Sequence, residues 1–95
     1  MSTYRIKTSK AFRKDIKRLQ KSRYAMRKLQ AVIDLLAAGQ DLPESYVDHA
    51  LRGDEAGQRE CHIGPDWILT YTRDHGALLL LLLRTGTHRD VLKIE

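Results

Sequence analysis

The apolar positions of the first forty residues are spaced as in one short strand followed by two helices. Residues 3–7 alternate apolar and polar side chains, as in a half-buried strand. Phe12, Ile16 and Leu19 then recur at helical spacing, and a threonine–serine pair at 8–9 supplies a capping hydroxyl. We therefore predict an opening strand and an amphipathic first helix.

A second helical stripe follows after a polar interval. It contains Met26, Leu29, Ile33 and Leu36, and Gly39 offers the left-handed residue that commonly ends a helix. Because the connection is short, the two helices are predicted to form an antiparallel pair.

The remainder of the chain changes to strand-like spacing. Residues 40–57 are polar, contain Pro43, Gly53 and Gly57, and predict a long connection. Three strand-like segments follow, at 58–63, 67–72 and 77–84. Turn-forming residues between them predict an antiparallel meander. The continuous apolar run at 77–83 is typical of a strand covered on both faces, but its periodicity alone does not distinguish it from a buried helix of the same length.

These elements define an α+β fold. In chain order it reads β-α-α-β-β-β, with two N-terminal helices packed on a small, mainly antiparallel sheet and a short C-terminal helix or tail. The chain of 95 residues suffices for one hydrophobic core, so residues 1–95 are expected to form a single domain. Cys61 has no cysteine to pair with, no signal-like stretch begins the chain, and the run at 77–83 is too short to cross a bilayer. We therefore expect a cytoplasmic protein that has no membrane partner.

Positive charge is concentrated at the N-terminal end of the chain, although the net charge is only +5. Residues 1–30 contain 11 Lys and Arg and one acidic residue, whereas residues 31–95 contain 6 and 11. Such a basic stripe attracts nucleic acid, an acidic protein segment or an anionic membrane; a merely solvated helix face has the same composition. The candidate contacts to an RNA backbone are Lys10, Arg13, Lys14, Lys17, Arg18 and Lys21.

Histidines and carboxylates gather in the strand region. Alternation places Glu60 and His62 on the same face of the 58–63 segment, and Asp66 follows in the turn. Imidazole and carboxylate groups are suited to proton transfer near neutral pH. Trp67, at the start of the next strand, can either stack on a base or join the core.

The end of the third strand-like segment adds two further candidates. Arg84 can bind a phosphate or form an ion pair, and His88 follows the next turn, whereas His75 is interpreted as a surface residue. Cys61 and His62 point to opposite faces and no paired ligand spacing occurs, so neither a metal nor another cofactor is expected. A phosphate-binding glycine loop and a glycine-flanked serine are missing from the sequence, which argues against nucleotide hydrolysis and serine-hydrolase chemistry.

Three stretches of the sequence, in this order, resemble the YafQ branch of the RelE/ParE toxin superfamily. They are 48–53, 59–69 and 84–88. The most specific pieces are His-x-x-Pro-Asp-Trp at 62–67 and Arg-Thr-Gly-Thr-His at 84–88, and the likeness spans nearly the whole chain. The resemblance implies two helices packed on an antiparallel sheet. It also implies a toxin that cleaves messenger RNA in the ribosomal decoding site and is neutralised by an antitoxin encoded alongside it.

The resemblance further assigns roles to individual residues. It places catalytic histidines at His49, His62 and His88, and acidic site residues at Glu60 and Asp66. The best-known family member has Asp in place of Glu60 and Phe in place of Leu92. The candidates for substrate binding are Glu60, Trp67, Arg84 and Leu92.

RNA carries its own nucleophile, the 2′-hydroxyl, so cleavage requires a base, an acid for the leaving 5′-oxygen and a cation near the phosphate. Our hypothesis is that His62 and His88 share the proton transfers and that Asp66 assists one of them. Arg84 would offset charge on the phosphate, and His49 would position the substrate. Two alternatives remain open at this point. One is a ParE-like toxin that inhibits gyrase through protein contacts, and the other is a basic nucleic-acid-binding module without catalysis.

Overall fold

The computed structural model describes residues 3–53 and 56–92, with the side chain of Leu92 outside that description. The elements are β1 (Arg5–Thr8), α1 (Lys10–Gln20), α2 (Met26–Ala37), a 3₁₀ turn (Glu44–Tyr46), β2 (His49–Ala50), β3 (Arg59–Gly64), β4 (Trp67–Asp74), β5 (Leu79–Gly86) and α3 (His88–Leu92).

The strands form one sheet in the order β1-β5-β4-β3-β2. The predicted antiparallel meander consists of β3, β4 and β5, and β1 joins β5 in parallel. The predicted α+β fold is therefore confirmed. The connection predicted at 40–57 contains a short strand that the sequence did not predict, since His49 and Ala50 of β2 pair with β3 and continue the sheet. Two residues are too few to produce a detectable period in a sequence.

Helix α1 is attached to the sheet by its cap and its apolar stripe. The Ser9 hydroxyl accepts a hydrogen bond from the Phe12 amide at 2.9 Å and donates one to the Leu83 carbonyl of β5 at 2.6 Å. Phe12 and Leu19 are buried, as the helical spacing predicts. Asp15 is buried as well, which the sequence reasoning missed.

Helix α2 packs and ends as predicted. Leu29, Ile33 and Leu36 are buried, and Gly39 follows the helix with φ of +80°, a conformation that suits glycine because it has no Cβ. Among the described residues, neither this helix nor another one combines the length and hydropathy needed to cross a bilayer.

The leucine run forms β5, but its two faces differ. Leu80 and Leu82 are buried in one cluster with the apolar residues of both long helices. Leu79, Leu81 and Leu83 are only half-buried. The expectation of a strand covered on both faces is therefore corrected: the helices cover one face of the sheet and leave the other partly open.

Candidate active site

The open face of the sheet carries the predicted proton-transfer residues. Glu60 and His62 are two positions apart on β3 and lie on the same face, as predicted. His49 on β2 pairs directly with Glu60 across the two strands. Cys61, between them, points into the core and is fully buried. Burial also raises the pKa of its thiol to about 12, so Cys61 acts as a packing residue.

The Glu60 carboxylate is the centre of a cluster that it forms with His49, His62 and His88. Its side chain is only 4% exposed. The Nε2 atoms of His88 and His62 lie 3.1 and 3.3 Å from Oε1. His49 Nε2 lies 3.7 Å from Oε2. Three histidines that are distant in the sequence therefore meet at one buried carboxylate, and these contacts offset the cost of removing it from water.

His88 is held by a second carboxylate. Asp66 Oδ1 accepts the backbone N–H of His88 at 3.1 Å and lies 2.8 Å from its Nδ1, and these bonds hold the pKa of Asp66 below its usual range. Both ring nitrogens of His88 thus face carboxylate oxygens, since Nε2 faces Glu60. A neutral imidazole has a single N–H, so both contacts are hydrogen bonds only when the cluster holds one further proton.

His49 is positioned by the connection that precedes it. Its Nδ1 lies 2.7 Å from the Val47 carbonyl, which can accept a hydrogen bond from it. The neighbouring Asp48 accepts from the Tyr71 hydroxyl at 2.7 Å and from Arg59 Nε at 3.0 Å. Burial and the bond to Asp48 raise the pKa of Tyr71, so the phenol remains protonated and donates. Sequence reasoning missed this anchor because its members belong to three separate segments.

Arg84 is bound by Asp15 of α1. Its Nε and Nη2 donate to the two carboxylate oxygens at 2.7 and 3.1 Å, and the Thr85 amide donates to the same carboxylate at 3.0 Å. The hydrogen bond to Asp15 raises the pKa of Arg84. The structure therefore favours the ion-pair interpretation over a free phosphate ligand. The signal in the sequence was Asp15 itself, the one acidic residue in the basic N-terminal part, located on the apolar stripe of its helix.

Trp67 and Leu92 are the two remaining residues that were predicted to contact the substrate. Trp67 is 5% exposed, donates from Nε1 to Thr85 Oγ1 at 3.0 Å and meets the Tyr24 ring edge-on at a centroid distance of 4.9 Å. This burial corrects the prediction of a stacking surface, because a base cannot reach the ring. The Leu92 side chain lies outside the described residues.

The predicted basic contacts lie on the exposed side of α1 and just beyond its end. They are Lys10, Arg13, Lys14, Lys17, Arg18 and Lys21. Two of them have internal partners: Arg13 donates to the Thr8 carbonyl at 2.7 Å, and Arg18 lies 3.3 Å from Asp15. The lysines of this set form no ion pair within the part of the chain that the structure describes.

Part of the cluster also has the composition of a metal-binding site. Glu60, His62 and His88 offer one ligand atom each, all within 4.8 Å of one another. One carboxylate and two imidazoles are a donor set that Zn²⁺ and related ions accept. A cation held there would supply Lewis-acid chemistry. Sequence reasoning overlooked this set because it considered only ligands close together in the chain, whereas these belong to β3 and α3.

Comparison with known families agrees with this fold and site. Residues 4–93 match the family model of a bacterial toxin of type II toxin–antitoxin systems. Within that class the chain belongs to the YafQ family. The family resemblance found in the motifs is thereby confirmed.

Several characterised relatives cover most of the chain. The mRNA interferase toxin YafQ of Escherichia coli K12 is 42% identical over 84 residues, which span 87% of this chain and 89% of that protein. The toxin in the E. coli DinJ–YafQ toxin–antitoxin complex superposes with a TM-score of 0.85 at 39% identity, covering 94% of this chain and 97% of its own. A metal-bound toxin from Helicobacter pylori gives a TM-score of 0.85 at 40% identity, with coverage of 96% and 99%.

Proposed function

We propose that this protein is a ribosome-dependent endoribonuclease that cleaves messenger RNA and thereby inhibits translation. The observation that carries the proposal is the meeting of His49, His62 and His88 at the buried Glu60 carboxylate. A gyrase-binding toxin or a passive RNA-binding module has no need of such a cluster. The name of the E. coli relative, an mRNA interferase, supports the same activity.

The proposed reaction uses the 2′-hydroxyl of the substrate as nucleophile. His62 accepts the 2′-hydroxyl proton while the oxygen forms a bond to phosphorus. The bond from phosphorus to the 5′-oxygen breaks, and His88 turns its Nε2, which faces Glu60 in the free protein, toward that oxygen and gives it a proton. The products are a 2′,3′-cyclic phosphate and a 5′-hydroxyl. The ring centroids of the two histidines are 5.1 Å apart, so both rings are close enough to contact the same phosphodiester.

The carboxylates and the third histidine position these groups. Asp66 orients the His88 ring through Nδ1, and Glu60 faces the Nε2 atoms of both His62 and His88. We assign substrate positioning to His49, which is 45% exposed beside the cluster. Arg84 acts by holding the preceding strand end against α1.

A protein partner and a compartment follow from this activity. An active ribonuclease of this kind requires inhibition until it is released, and we propose a cognate antitoxin encoded alongside it. The E. coli relative, solved in complex with DinJ, supports such a partner. Because translating ribosomes and their message are the substrates, we propose that the toxin acts in the cytoplasm.

The test uses translating ribosomes exposed to the wild-type protein, His88→Ala and the control His75→Ala. His75 is exposed and bonded to the Tyr4 hydroxyl, away from the cluster. We expect the wild type and the control to cleave the messenger RNA, and the rate of cleavage by His88→Ala to be at least 100-fold lower. Absence of cleavage by all three proteins would favour the two binding alternatives. A 5′-phosphate at the new end would instead indicate attack by a metal-activated water.

A further inference from the structure

An open cleft of about 670 Å³ lies beside the cluster and includes His62 in its wall. Its size lies within the range of about 300 to 1,000 Å³ that is typical of small-molecule sites. The wall is shared by α2, the 3₁₀ turn and the end of β3. Its main residues are Arg27, Lys28, Tyr46, Val47, Ile63 and Gly64.

The charged part of the cleft is positive. Arg27 and Lys28 are exposed, and neither forms an ion pair within the part of the chain that is described. Acidic side chains are absent from the described lining. Helix α2 also has no acidic residue in its first turn, so its N-terminal amides add to the positive field there. An anionic group is the natural occupant of this part of the cleft.

The opposite part of the cleft is apolar. Tyr46 packs partly against the core and presents its remaining surface to the cleft. Val47 is 53% exposed and has φ of +49°, a left-handed conformation that is rare and strained for a β-branched residue. Backbone strain of this kind concentrates where a segment contacts a ligand. The same residue's carbonyl holds His49, so the strained segment connects the cleft with the cluster.

We propose that this cleft is a nucleotide subsite, which holds the message nucleotide adjoining the scissile phosphate. Arg27 and Lys28 bind its phosphate, and its base or ribose lies over Tyr46 and Val47. Cations next to an aromatic and an apolar surface match the composition of a nucleotide, and stacking on an aromatic ring tolerates any base. The role as a substrate subsite rests on the proposed function, because His62 joins the cleft to the reaction centre.

A binding experiment tests the cleft without any cleavage. The probe is a 2′-O-methyl RNA trinucleotide, which has no free 2′-hydroxyl, titrated into the ¹⁵N-labelled protein. We expect amide shifts at Val47 and Gly64, and a roughly tenfold higher Kd for the variant Arg27→Gln/Lys28→Gln. The slope of log Kd against log salt should fall by about 0.7 for each lost phosphate contact.

The matched control is Arg5→Gln/Lys7→Gln, which removes the same charge at the opposite edge of the sheet, on β1. Its Kd should stay within about twofold of the wild type. The subsite would be overturned if both double variants weakened trinucleotide binding equally, or if the amide shifts were confined to residues outside the cleft.

A cleavage experiment separates this inference from the proposed function. On translating ribosomes, Arg27→Gln/Lys28→Gln should raise KM at least threefold and leave kcat within twofold, because the contacts are made equally in the ground and transition states. If the wild type cuts and this variant matches it in KM, the subsite fails while the ribonuclease stands. If the wild type does not cut, the proposed function fails, and the trinucleotide titration alone decides whether the cleft binds a nucleotide.

Discussion

His62 and His88 are bonded differently, and this difference supports the roles that we propose for them. Both ring nitrogens of His88 face carboxylates, at Asp66 and Glu60, whereas His62 has one such contact, with Glu60. When both contacts of His88 are hydrogen bonds, its ring carries an N–H on each nitrogen, and a ring with two N–H groups can give a proton as a general acid. The sequence left this assignment open because it could not show which carboxylate lies against which nitrogen.

A substrate with sulfur in place of the scissile 5′-oxygen tests the assignment. A thiolate leaves without protonation, so the general acid becomes dispensable. Cleavage of this substrate by His88→Ala should approach the wild-type rate, whereas His62→Ala should remain at least 100-fold slow. The measurement is single-turnover cleavage on ribosomes. Rescue of His62→Ala with none for His88→Ala would reverse the two roles.

The contact between Asp66 and His88 predicts how this end of the site responds to acid. The pKa of Asp66 is lowered, chiefly by the hydrogen bond from the His88 side chain. A carboxylate with a lowered pKa stabilises the structure above its ordinary pKa of about 3.9, and that contribution is lost as the pH falls through the lower folded value. The His88 amide shift should therefore titrate below pH 4, and its transition should vanish in Asp66→Asn. A transition above pH 5 that persists in Asp66→Asn would contradict this account.

At the scale of elements, Asp15 links α1 to the end of β5, shortly before α3 begins. Asp15 binds Arg84 and the Thr85 amide, which lie three and two residues before Thr87, the turn residue that precedes His88. The carboxylate itself is 1% exposed, so its hydrogen bonds are shielded from water. This buried contact holds the end of β5 in register with the helix that crosses it.

We expect Asp15→Ala to lower the free energy of unfolding by about 2 to 3 kcal/mol. Loss of the Asp15 carboxylate removes the charged hydrogen bonds to Arg84 and leaves the Thr85 amide without a partner. Water can replace part of the interaction, because the Arg84 side chain is 27% exposed. Urea denaturation measures the change. The control Asp34→Ala removes an exposed carboxylate that pairs only with Gln30 on the same helix, and should cost less than about 0.5 kcal/mol. Similar losses in both variants would show that Asp15 is not a special anchor.

The sequence predicted those elements in which apolar residues recur at a regular spacing. The stripes of α1 and α2 and the alternation in β3 each extend over several residues, so their positions and faces were confirmed. Strand β2 was missed because pairing of His49 with Glu60 is a long-range contact that leaves no local period. For the same reason the sequence named the histidines of the site but not their common contact. For Trp67 the sequence left both the core and a stacking surface open, because an aromatic residue at a turn has the same local pattern in either place.

At the scale of the whole molecule, the lysines of α1 and the cluster belong to different faces of the sheet. Helix α1 packs on the covered face of the sheet, and the histidines lie on the open face. We therefore expect the outward lysines of α1 to contact phosphates other than the scissile one. We expect these lysines to contact ribosomal RNA around the decoding site while the open face of the sheet meets the message.

This arrangement predicts that the lysines of α1 act on affinity alone. Lys14→Gln/Lys17→Gln should weaken ribosome binding and reduce the slope of log Kd against log salt by about one per lost phosphate contact, with kcat unchanged. Arg5→Gln/Lys7→Gln, an equal charge loss on β1, should retain the wild-type slope. Binding to ribosomes at several salt concentrations provides both slopes. If the two double variants share one slope, the net charge rather than this helix steers the toxin to the ribosome.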